Sequence, residues 1–154
     1  MAFIAGQYTV KYNDIDVGQV QEGITIEHTV FKQVISGDDF AETPQDAVFR
    51  GMAVFAQFTT MEFAENLRAF HPYGTTYLTM NKVIGTLDTS NATALKLTAI
   101  AGTPASLSPV AITASIAILA EGYPVGILFA PALRTVPIRM RFYPNVSGVF
   151  ASLA

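Results

Sequence analysis

Residues Thr135 to Tyr143 read TVPIRMRFY, with Val136, Ile138, Met140 and Phe142 alternating against Arg139 and Arg141. A side-chain period of two is satisfied only by extended backbone, so this segment predicts a strand with a greasy face and a cationic one. Pro137 places it at an edge or puts the proline in the first part of the strand. The same period recurs along the chain. Gln7 to Tyr12 alternates, Asn13-Asp14 supplies turn chemistry, and Ile15 to Val17 completes a short hairpin. Ile24 to Ile35 is rich in β-branched residues, and Ala47 to Phe63 is apolar on both sides, as a strand covered on both faces would be. Thr75 to Leu87, interrupted by Gly85, Thr93 to Ala101, Val110 to Ala120 and Val125 to Ala130 add further strands, the last two joined by a turn at Glu121 to Pro124. Ser36 to Asp46 carries Gly37, Asp38-Asp39 and Pro44 and predicts an exposed loop. Ala64 to Phe70, stopped by Pro72, is the one helix expected. The expected fold is mainly β: an antiparallel sandwich or barrel with one short flanking α-helix, in a single domain over residues 1–154 with Asn145 to Ala154 as a loose tail.

Composition narrows what such a fold is for. Hydrophobic residues make up 51% of the 154 and charged ones only 14%, against about a quarter charged in an ordinary globular domain. That excess of apolar surface calls for a membrane or a subunit interface. A spanning helix needs roughly 20 consecutive apolar residues. The nearest stretch, Val110 to Leu133, is broken by Glu121, Gly122, Pro124 and Pro131, so the interface is the better destination. Met1 to Gln7 lacks the basic and apolar regions of a signal peptide, which predicts synthesis in the cytoplasm. Charge is lopsided: residues 1–65 carry a net −7 and residues 66–154 a net +4, within a total of −3. Such polarity suits either neighbouring subunits that present opposite faces or the ordinary scatter of surface charge.

The chemistry expected of an enzyme is missing. There is no cysteine, which excludes thiolate catalysis, disulfides and cysteine metal sites, and no nucleophile elbow, P-loop or dinucleotide fingerprint occurs. Glu27 and His28 are neighbours on a strand, so they point to opposite faces and do not cooperate as acid and base. Glu62, Glu65 and His71 converge only if a helix begins at Phe63, and a metal would need further ligands. Phenylalanines sit within apolar runs instead of interleaving with Lys and Arg, which argues against nucleic-acid recognition. The expectation is a non-enzymatic protein with no cofactor, no metal and no membrane span.

The order of these segments resembles the major tail tube proteins of long-tailed bacteriophages. The likeness is carried by GQYTVKYNDIDVG, then ITIEHTVFKQVI, the polar SGDDFAETPQD, and AVFRGMAVFAQFTTMEF running into the helix. VIGTLD, ITASIAILAEGYPVGILFAP and the closing TVPIRMRFYP extend it over nearly the whole chain. The resemblance implies a virion structural subunit that closes into hexameric rings. The rings stack into a hollow tube that conducts genomic DNA during ejection without sequence-specific binding. It further implies tape measure, tail tip and tail terminator proteins as partners besides other copies of the chain, and the virion tail as its location. By position, Thr25 to Val34 and Met52 to Phe63 would line the lumen, with Glu27 and Glu62 facing it. The loop holding Asp38, Asp39, Phe40, Glu42 and Pro44 would reach the adjacent ring. Arg139 and Arg141 are the candidates for contacts between subunits. A capsid decoration or tail completion protein shares this composition. A small β-barrel carrier or enzyme, with a cavity lined by groups such as His28, Glu62 and Tyr77, is the alternative of another class.

Overall fold

The computed structural model describes residues 8–16, 20–60, 80, 84–99, 111–122, 124–126 and 135–153. They form β1 (Tyr8–Tyr12), β2 (Ile15–Asp16), β3 (Val20–Ser36), β4 (Pro44–Thr60), β5 (Thr93–Ala99), β6 (Ala111–Leu119), β7 (Val136–Phe142) and β8 (Ser152–Leu153), with single 3-10 turns at Asp38–Phe40 and Asp88–Ser90. The fold is mainly β, as expected. The helix expected over Ala64 to Phe70, with Glu62, Glu65, His71 and Tyr77, lies outside the described residues. Among those described, no helix is long and apolar enough to cross a membrane.

All strand pairs are antiparallel and belong to one sheet, in the order β2-β1-β5-β6-β7-β4-β3, with β8 pairing β6 beside that path. β1 also touches β3 at the far end of the path, so the sheet rolls over its own apolar face into a partly closed barrel. Alternation decides what that face holds. Val136, Ile138, Met140 and Phe142 of β7 are all buried, together with Val10 and Tyr12, Val54, Ala56 and Phe58, Leu95 and Leu97, and Ala114 and Ala117. Tyr12 keeps its hydroxyl satisfied inside this core by donating to the Ala117 carbonyl at 2.8 Å, and burial raises its pKa.

Local chemistry sets the connections. Asn13 and Asp14 sit at φ 54° and 60°, the left-handed conformation that a tight hairpin turn requires and these side chains tolerate. Pro137 lies in the first part of β7, opposite Thr59 of β4, where β6 does not yet pair with β7.

Three boundaries differ from the sequence expectation. The ladder between β3 and β4 continues to Ser36 and Pro44, so the loop spans only residues 37–43, and Pro44 is tolerated as the first residue of its strand. Val125 and Gly126 belong to no strand, while residues 127–130 lie outside the description. Residues 145–153 are tied down. The Asn145 carboxamide oxygen accepts from the backbone N–H of Ser147 and Val149 at 2.9 and 3.0 Å, Phe150 and Ala151 pack on the core, and Ser152 and Leu153 pair with β6.

Candidate assembly surface

β3 and β4 are each 17 residues long, while β7, which flanks β4, has only 7. β7 pairs with β4 from Val54 to Thr60 and stops. Beyond that point the hairpin runs on without it. Eight residues of β3, from Thr29 to Ser36, extend for about 26 Å as a two-stranded arm. Along this arm β4 pairs only with β3, and no described strand pairs with the outer edge of β3.

The arm is apolar on both faces and exposed on both. Val30, Val34, Phe49 and Met52 share the face that continues the barrel interior, while Phe31, Ile35 and Val48 lie on the opposite face. Phe49 is 60% exposed, whereas Phe58 in the root of the same strand is 2% exposed. A two-stranded ribbon has no third layer to cover such residues. The arm therefore presents unpaired strand edges and large apolar side chains together, the combination that favours association with another chain.

The tip gathers five of the residues singled out from the sequence. Asp38, Asp39 and Phe40 form the 3-10 turn, Glu42 follows it, and Pro44 opens β4 opposite Ser36. Phe40 is 64% exposed, an aromatic side chain among acidic ones. Ala41 occupies φ 55° to close the turn, and Asp46 accepts from the Ala47 N–H at 2.7 Å.

At the root, the outer face carries a second group. Arg139 of β7 reaches across β4 to Glu27 of β3 at 3.1 Å, and its guanidinium lies 4.3 Å from the centre of the Phe55 ring. Arg141 lies 4.6 Å from the same ring and donates from both Nε and Nη2 to the carboxylate of Glu121, Nε at 3.0 Å. That hydrogen bond holds the Glu121 carboxyl below its ordinary range, and the same contact raises Arg141. The result is a ladder of ion pairs and cation–π contacts across β3, β4 and β7 to the turn that follows β6.

Sequence reasoning treated Glu27 as one functional candidate and Arg139 as another, and the fold joins them in a single ion pair. It also occupies both arginines with carboxylates of their own chain. Glu62 lies outside the described residues. The residues not singled out from sequence were Phe31, Val34, Phe49, Met52, Phe55 and Glu121. Two-sided apolarity in Ala47 to Phe63 is the available signal for part of that set, but it fits a strand covered within its own chain equally well. Comparison with known proteins adds no family: no family model matches the chain, and no curated protein matches it.

Proposed function

We propose that the chain is a structural, self-assembling subunit whose β3–β4 arm is covered by neighbouring copies, and that the assembly is the stacked-ring tube of a phage tail. The observation that carries this reading is an arm with two edges that no described strand pairs and two exposed apolar faces, continuous with a barrel that is itself well packed. Rings formed through the roots and sides of the hairpins, with acidic tips reaching the next ring, use every exposed feature of the arm. The resemblance in segment order supports the tube in particular, and hexameric closure, DNA passage and contacts with tape measure, tail tip and terminator proteins come with it.

A conduit for DNA must let a polyanion slide without holding it. The face bearing Glu27 suits that demand, because Arg139 and Arg141 on it are already engaged by Glu27 and Glu121 and offer phosphates little to bind. Negative-stain electron microscopy of the purified protein at rising concentration tests the reading. Open tubes with a central channel support it. Closed rings that never stack point to a completion or decoration role instead, and a folded monomer at every concentration, even with isolated tube ends added as seeds, overturns it.

A further inference from the structure

β4 contains one residue more than β3 can pair with at the start of the arm. Phe31 lies opposite Gly51, and the next residue of β3, Lys32, lies opposite Phe49, which leaves Arg50 without a ladder partner. This is a β-bulge, and Gly51 within it adopts φ +125°, a conformation that L side chains rarely enter. A Cβ at this glycine would meet nothing within 4 Å, so glycine is required by the backbone angle and not by a neighbour.

The consequence is one of parity. In a regular ladder Lys32 would face Arg50, which would turn Arg50, Val48 and Asp46 toward the side that continues the barrel interior and turn Phe49 away. With the bulge, Phe49 and Ala47 join Met52, Val30 and Val34 on that side. Arg50 instead bonds Gln33 on the other face, donating at 3.2 Å, and Asp46 falls on that face too. One extra residue thus removes both charges of distal β4 from the interior side and makes its apolar strip continuous.

Resting on the assembly reading above, we infer that the Arg50–Gly51 bulge is the register device of the arm, setting which side chains a neighbouring copy meets. Two variants separate this role from a mere bend. Gly51→Val disfavours the bulge and shifts the distal ladder by one residue. Deleting Arg50 in the same chain removes the extra residue, so a regular ladder restores the original pairing with no positive φ needed. Assembly is expected to be lost in Gly51→Val and regained in the double variant.

Because the chain has no cysteine, the register can also be read in the monomer by paired cysteines. Val34→Cys with Ala47→Cys is expected to cross-link in the native background and in the double variant. In Gly51→Val the cross-link is expected to move to Val34→Cys with Val48→Cys. A cross-link that stays at 34 and 47 in Gly51→Val overturns the inference. So does a double variant that recovers the native cross-link without recovering assembly. If the unmodified chain never assembles, the tube reading fails, while the cross-linking pattern still decides whether the bulge sets register.

Discussion

Over Val54 to Thr60, β4 lies between β3 and β7 and buries Val54, Ala56, Phe58 and Thr60; over Pro44 to Ala53 it pairs, among the described strands, with β3 alone, and Val48, Phe49 and Met52 stand in solvent. The two halves are built of the same kinds of residue. What separates them is the point at which β7 ends, so one half is a protein core and the other, under the proposed assembly, is an interface awaiting its second half. Hydrophobic burial depends on what lies opposite, and a ribbon of two strands has nothing opposite.

The largest effect that sharpens this contrast is on stability. Phe142→Ala, inside the barrel, is expected to cost about 3–5 kcal/mol in chemical denaturation, while Phe49→Ala in dilute solution changes the monomer by about 0.5 kcal/mol or less. Equal losses would show that the arm packs on the body and would break the comparison. Assembly should respond in the opposite sense. Phe49→Asp leaves a folded monomer by circular dichroism and abolishes tubes in electron micrographs, because a carboxylate in place of the phenyl ring must be desolvated at the interface. Tubes that persist would remove the interior-facing strip from the contact.

Smaller effects test the root. Tyr12→Phe removes the buried hydrogen bond to the Ala117 carbonyl and is expected to cost about 1 kcal/mol in the same denaturation experiment. A double-mutant cycle on Glu27 and Arg139, both partly exposed, should return about 0.5 kcal/mol of coupling. Smallest of all is the pH dependence at Glu121, whose side chain is 65% exposed. Its folded pKa is depressed by Arg141, so the stabilisation is present above about pH 4.3, the unfolded value, and lost as pH falls through the lower folded value. The stability difference between the native chain and Glu121→Gln should close below about pH 4, and high salt should shrink it at neutral pH.

Much of the fold could be read from single segments. The alternation in Val136 to Phe142 marks both the strand and its buried face, and Asn13-Asp14 marks its turn, because each depends only on neighbours in sequence. The arm was harder. In Val48-Phe49 two apolar residues are adjacent, so either parity reads equally well and no pattern shows the bulge, although Gly51 is a residue that bulges favour. The pairing of Glu27 with Arg139 was illegible for another reason: the two are brought together by β4 lying between their strands, and no sequence spacing encodes that.

By itself, then, the sequence determined a mostly β chain with too much apolar surface for one small body, because side-chain period and composition are local properties. Only the tertiary structure decided where that surplus goes. A strand's length beyond its neighbour, the residue opposite a bulge and the carboxylate that meets an arginine are all set by register between distant segments, and register is a property of the assembled sheet.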